Sequence, residues 1–105
     1  MTKKFYSINV RWVVTPMHPP LIDGILGTAG DWVRYNAQTW FLWTEWEVGP
    51  LSGLLRKHLM DEDSFIVFPF DPLNANGWSP NWVWAWFQAR MEDDDKVGRI
   101  NSSSS

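Results

Sequence analysis

The 105-residue chain contains no cysteine, which excludes disulfide bonds, thiol catalysis and cysteine-based structural zinc sites. It also lacks a glycine-rich phosphate-binding loop and a Gly-x-Ser-x-Gly nucleophile motif. No apolar run approaches the roughly 18 residues of a membrane span, and the opening MTKKFYSINVRW lacks the apolar stretch of a signal peptide. We therefore predict a cytoplasmic protein that requires no cofactor and has no membrane partner.

The charge balance is mildly acidic, with nine basic and twelve acidic side chains and a formal net charge of −3. Because nucleic-acid affinity depends on neutralising phosphates, this balance disfavours a nucleic-acid partner. Apolar residues make up 45% of the chain and charged residues 20%, which is typical of a globular domain. We predict one domain over residues 1–91, followed by a flexible, acidic and serine-rich tail over 92–105.

The start of the chain predicts a strand and then a helix. Phe5–Val14 alternates between apolar side chains on one side and Ser7, Asn9 and Arg11 on the other, so one face of this strand is expected to be buried. A proline-rich break follows. The next apolar residues recur at helical spacing, which predicts a short helix over 21–26.

Two further strands are predicted in the middle of the chain. Asp31–Tyr35 and Gln38–Trp46 are separated by Asn36-Ala37, a plausible tight turn. The second of these segments is apolar on both faces. It is therefore expected to run through the middle of a sheet.

A second helix and a fourth strand follow. Gly49-Pro50 favours a helix start with leucines along one face. The run FIVFPF, residues Phe65–Phe70, is short and continuously apolar, which is typical of a buried strand. Pro69 is expected where the hydrogen-bonded ladder of that strand ends.

Four of the nine tryptophans lie close together within residues 76–91. Ser79-Pro80 supplies a helix N-cap followed by proline, so a helix should begin there. Trp78 precedes the cap and is expected to pack back on Val83 as a hydrophobic staple.

Inside this last helix Trp82 and Trp86 lie four residues apart, on one face that we expect to cover the core or its edge. A lipid-binding helix normally carries several cations, whereas this helix has Arg90 alone, with acids after it. The acidic run Glu92–Asp95 is expected to end the helix.

The predicted order is strand, helix, strand, strand, helix, strand, helix. A βαββαβ order with helices on one face of a small mixed sheet predicts a ferredoxin-like α+β sandwich with an additional C-terminal helix.

Motifs between residues 30 and 90 resemble those of a known family. The segments are Gly30-Asp31-Trp32, Tyr35, Thr39-Trp40, Thr44, Leu55-Arg56-Lys57-His58-Leu59, Asp61-Glu62-Asp63 before FIVF, and SPNWVWAWF. Together they resemble small bacterial SinR-like proteins, which are related in fold to the small nuclease-like subunit of CRISPR adaptation. The resemblance implies the ferredoxin-like fold. It also raises, as an alternative function, a divergent metal-dependent nuclease or nucleic-acid-binding toxin-like protein.

The chain departs from that family where a metal would bind. In the CRISPR subunit an aspartate at the end of the first strand is the proposed ligand, whereas this chain has Asn9 and Arg11 near that position. Trp43 stands where the family pattern has another acid. Both departures remove negative charge that a Mg²⁺ site would use. We therefore predict no catalytic residues, no metal site and no enzymatic activity.

The other polar clusters are better explained by solvation than by chemistry. His18 lies in a proline-rich turn and His58 in the last turn of a helix, without the spacing of metal ligands around either. Asp61-Glu62-Asp63 lacks the alternating oxygen ligands of a calcium loop. The acids after Arg90 could instead mimic phosphates and occupy a basic partner.

The remaining signal is the sheet face opposite the helices. If Trp40 and Leu42 point toward the helices, Phe41 and Trp43 point to the other side. There they join Ser7, Asn9 and Arg11, and we call this set the aromatic face. A monomer rarely leaves such an apolar patch in water, so we predict a protein partner, in the first place a second copy of the chain.

Two other occupants of the aromatic face stay open. The terminal helix could fold across it, or single-stranded bases could stack on Phe41 and Trp43 with help from Arg11 and Arg34. A non-catalytic protein-interaction domain that forms a homodimer is the leading hypothesis, with Asn9, Arg11, Phe41 and Trp43 as its interaction face. A phage or mobile-element inhibitor of a host complex is a further alternative.

Overall fold

The computed structural model describes residues 2–13 and 17–101, with side chains described as far as residue 92. The chain divides into two compact units, Met1–Asp71 and Pro72–Ser105. The single domain over residues 1–91 with a flexible tail over 92–105 stays a prediction. Part of the proline-rich break and residues 102–105 lie outside the described residues.

The first unit consists of four strands and two helices among the described residues. In chain order they are β1 (Lys4–Arg11), α1 (Pro19–Gly27), β2 (Asp31–Asn36), β3 (Thr39–Thr44), α2 (Val48–His58) and β4 (Ser64–Phe70). The strands form one sheet in the order β2-β3-β1-β4. The predicted α+β class is confirmed. The predicted mixed sheet is wrong, because each ladder of the described sheet is antiparallel.

The core lies between one face of this sheet and the two helices. Tyr6, Ile8 and Val10 of β1 alternate inward with Trp40 and Leu42 of β3, as a two-residue strand period requires. The helices add buried aliphatic side chains to this layer: Ile22, Ile25, Leu26, Leu51 and Leu55. Trp40 is fully buried, so one large ring fills much of the space between the layers.

Two hydrogen bonds satisfy polar groups of the core aromatics. The Tyr6 hydroxyl donates to the backbone oxygen of Trp46 at 2.9 Å. Burial raises the pKa of this phenol above its ordinary value. The Trp12 indole nitrogen donates to the backbone oxygen of Ala37 at 2.9 Å. Large rings can therefore line the interior without leaving these donors unpaired.

The positions of β3 and β4 in the sheet differ in how well the sequence predicted them. β3 lies between β2 and β1, so its predicted central place is confirmed. β4 was expected to be a buried strand, and this is wrong. It pairs with β1 alone in the described sheet, and its side chains alternate between exposed and partly buried from Ser64 to Phe68. Its apolar composition reflects one face against the core and one exposed apolar face.

The second unit contains a short 3₁₀ turn, Pro72–Asn74, and helix α3, Asn81–Asn101. The helix continues past the acidic run Glu92–Asp95 that was predicted to end it. Trp78 is fully exposed, so the predicted staple on Val83 is wrong.

In the part of α3 with described side chains, burial falls only partly on the predicted residues, since Trp86 is half-buried. Val83 and Phe87 are buried, whereas Trp82 is 46% exposed. The Phe87 ring meets Trp84 and Trp86 edge-on at centroid distances of 5.9 and 5.7 Å. The Arg90 guanidinium lies 4.4 Å from the centre of the Trp86 ring, a cation–π contact.

Candidate interaction surface

The strand registers give the aromatic face its members. Phe41 and Trp43 lie opposite Ser7 and Phe5 across the β1–β3 ladder. Because cross-strand partners share a face, these side chains project away from Trp40 and the helices. The predicted orientation of Phe41 and Trp43 is therefore confirmed. The same rule adds Ser64, Ile66, Phe68 and Phe70 of β4 to the aromatic face.

The exposure of Trp43 contradicts the sequence-based expectation. Only 7% of this residue is accessible, and Phe41 is half-buried. The Trp43 ring lies 6.2 Å from the Phe5 ring, centroid to centroid, and the Lys3 ammonium lies 4.3 Å from its centre. Phe41 meets Phe70 edge-on at 5.7 Å. Trp43 is thus a packed residue, not the exposed anchor that we predicted.

The exposed apolar area of this face lies on β4 instead. Ile66 is 58% exposed and Phe68 is 52% exposed. They stand opposite Asn9 and Ser7 across the β1–β4 ladder, so the two apolar side chains border polar ones. The sequence missed them because a continuous apolar run gives no sign of which residues face water.

A shallow groove of about 360 Å³ lies beside these two side chains. Its lining residues are Asn9, Val10, Arg11, Gln38, Thr39, Ser64, Phe65, Ile66 and Phe68. The groove therefore combines the predicted Asn9 and Arg11 with the exposed apolar residues of β4, but it does not include Phe41 or Trp43.

The polar side chains of the groove are partly engaged with one another. The Asn9 amide nitrogen donates to Ser7 Oγ at 3.1 Å, and Thr39 Oγ1 donates to Asn9 Oδ1 at 3.3 Å. Arg11 is exposed at the end of β1. The groove thus presents the Arg11 cation beside the apolar strip of Ile66 and Phe68.

Arg34 lies on the other side of the sheet, which contradicts its predicted part in base stacking. It stands opposite Trp40, and its Nε donates to Asp23 Oδ1 at 3.2 Å while its Nη2 pairs with Asp23 Oδ2. The sequence alone does not give the register between β2 and β3. That register decides which sheet face Arg34 occupies, so its placement beside Phe41 was wrong. This cation braces α1 against the sheet and is separate from the aromatic face.

The outer edge of β4 is defined by the hydrogen-bond pattern of β1. Val10 donates its backbone N–H to Gln38 on the β3 side, so by alternation Asn9 and Ser7 direct theirs toward β4. Their partners Ile66 and Phe68 bond back to β1. The alternate residues of β4, which are Phe65, Val67 and Pro69, therefore direct their backbone groups outward. Pro69 has no N–H to direct there, which is the position that proline tolerates in an edge strand.

The two histidines show no chemical constellation. His58 is exposed, with Nδ1 3.0 Å from the backbone oxygen of Leu54, and His18 is exposed just before α1. In the part of the chain with described side chains, no group of three or more His, Cys, Asp or Glu could hold a metal ion.

Comparisons with known proteins gave no match to a family model, to a curated protein or to a solved structure. Among the described residues, no helix is both long and apolar enough to cross a membrane.

Proposed function

We propose that the protein is a small, non-catalytic protein-interaction domain that forms a homodimer through the aromatic face, at the strip made by Ile66 and Phe68. The observation that carries this proposal is the exposure of more than half of each of these two side chains on one strand. Contiguous apolar area beside a polar rim is the usual composition of an interface centre.

The groove supplies the polar part of that surface. Arg11, one of its lining residues, belongs to a residue type that is enriched at protein interfaces. Asn9 is held by Ser7 and Thr39, so it forms an ordered polar border beside the apolar strip. Trp43 enters this proposal as packing beneath the interface and not as a contact.

The ferredoxin-like fold and the relationship to SinR-like proteins are part of the same proposal. The order β2-β3-β1-β4, with α1 and α2 on one face, supports a ferredoxin-like sandwich. The motifs between residues 30 and 90 support a relationship to SinR-like proteins.

Sedimentation velocity of the 12.3 kDa chain over a range of concentrations tests the proposal. We expect the wild-type chain to sediment as a dimer, and Phe68→Asp to shift it to the monomer mass with unchanged circular dichroism. A charge in the strip would have to be desolvated on association, so the dissociation constant should rise at least about tenfold.

Val48→Asp is the matched control. Val48 is 43% exposed, but it lies on α2 and away from the aromatic face. This variant should dimerise like the wild type. A wild-type chain that stays monomeric at the highest concentration would overturn the proposal, as would equal weakening by both substitutions.

A further inference from the structure

We infer that two copies join edge to edge through β4, as antiparallel strands with Ile66 opposite Ile66 of the other copy. This inference rests on the proposed homodimer and specifies how it is built. The result would be one continuous sheet of eight strands, four from each copy.

The two edges of the sheet differ in how well they are protected from strand pairing. β2 carries Asp31 and Arg34, and its register with β3 shifts between Arg34 and Asn36. Charges and irregularities of this kind are the devices that keep sheet edges apart. β4 has no charged residue from Ser64 to Phe70. Pro69 is the one residue of β4 that hinders strand pairing. Of the two edges of the described sheet, β4 is therefore the one suited to a partner strand.

Pro69 also selects the register. Pairing bonds must form between the outward residues, and proline opposite any of them loses a bond because it has no N–H. With Ile66 at the two-fold axis, Phe65 of each copy pairs with Val67 of the other, and both residues donate and accept. A register centred on Val67 places Pro69 opposite Phe65, and one centred on Phe68 places it opposite Val67. Of these three registers only the Ile66-centred one avoids this loss. A register centred on Phe65 also avoids it, but places Val67 opposite Asp63, outside β4, and so pairs less of the strand.

The side chains fit that register on both faces. Ile66 meets its own copy on the aromatic face, and Phe68 falls opposite Ser64, an exposed small residue. On the helix side Phe65 falls opposite Val67, and both already pack partly against the core. A surface that matches itself in this way favours a second copy as the occupant over an unrelated peptide.

Single cysteines test the register, since the natural chain has none to interfere. Ile66 and its copy would form a non-hydrogen-bonded antiparallel pair with Cα atoms about 4.5 Å apart, within the range of a disulfide. Two copies of Phe68 would lie on opposite sides of the axis, about 13 Å apart along the strands. We expect Ile66→Cys to become a covalent dimer with oxidised glutathione, and Phe68→Cys to remain at the monomer mass under denaturing electrophoresis.

The double variant Ser64→Cys/Phe68→Cys gives a positive control for distance, because these positions face each other in the inferred register and should cross-link. A dimer in sedimentation whose Ile66→Cys variant does not cross-link, or whose Phe68→Cys variant cross-links equally well, would overturn the edge pairing and leave the homodimer standing. A monomeric wild-type chain would overturn both proposals.

Discussion

The indole Nε1 of Trp40 donates a hydrogen bond of 2.8 Å to Oδ1 of Asp23, which joins the fully buried ring of β3 to helix α1. The Asp23 side chain is 16% exposed, and its carboxylate also accepts hydrogen bonds from the Arg34 guanidinium of β2. One side chain therefore connects α1, β2 and β3.

Replacing Asp23 with alanine should destabilise the protein. Trp40 Nε1 would lose its acceptor inside the fold, and an unmatched buried donor costs about 1–3 kcal/mol. The free energy of unfolding in urea measures this loss. Asp23→Asn retains an acceptor for the indole and should cost less. Equal losses in the two variants would show that the indole hydrogen bond contributes nothing separable from the charge.

The stability supplied by Asp23 should depend on pH. Burial alone would raise the pKa of this carboxyl, but hydrogen bonds from Arg34 and Trp40 outweigh burial and lower it. A lowered pKa in the folded state means that the contribution is complete above the unfolded carboxyl pKa of about 3.9 and is lost as pH falls through the folded value. The difference in unfolding free energy between wild type and Asp23→Asn should therefore shrink below about pH 4. A constant difference from pH 7 to pH 3 would contradict this origin.

Gly30 lies where the chain passes close to β3. A Cβ atom at this position would stand 2.4 Å from the Trp43 backbone oxygen, which cannot move without disturbing the strand. Gly30→Ala should therefore cost about 1–3 kcal/mol of unfolding free energy. Gly53 in α2 has open space around its Cβ position, so Gly53→Ala should stabilise the helix by about 0.5–1 kcal/mol. Thermal unfolding of the pair should show midpoints that shift in opposite directions.

Thr44 connects the end of β3 to the loop before β2. Its buried Oγ1 donates to the Ala29 backbone oxygen at 2.6 Å and accepts from the Trp46 backbone N–H at 3.0 Å. Thr44→Val keeps the shape but removes both bonds, and should cost about 1–3 kcal/mol in denaturant unfolding. Thr39→Val is the comparison, since Thr39 is partly exposed and makes a longer bond; its effect should stay within about 0.5 kcal/mol.

The sequence predicted the sheet face of β1 and β3 because side-chain alternation there is local information. Tyr6 and Ile8 alternate with polar residues, and β3 is apolar on both faces, so inward and outward sets could be assigned without coordinates. The position of Gly30 and the hydrogen bond between Trp40 and Asp23 could not, because both depend on which segments approach one another.

The exposed site was mislocated for a related reason. Phe41 and Trp43 face the predicted side, but their accessibility depends on neighbours such as Lys3 and Phe5, which only the register brings beside them. Ile66 and Phe68 were hidden within a run that is equally apolar throughout. Whether such a run is central or at an edge follows from strand order, which its composition does not encode.

The irregular pairing near Asn36 sets an upper limit on assembly. If copies add through β4, each finished pair ends at two β2 strands, whose charges and distorted register offer no template for further addition. Assembly should therefore stop at the dimer. Raising the protein concentration should increase the dimer fraction until all chains are dimeric, without forming fibres.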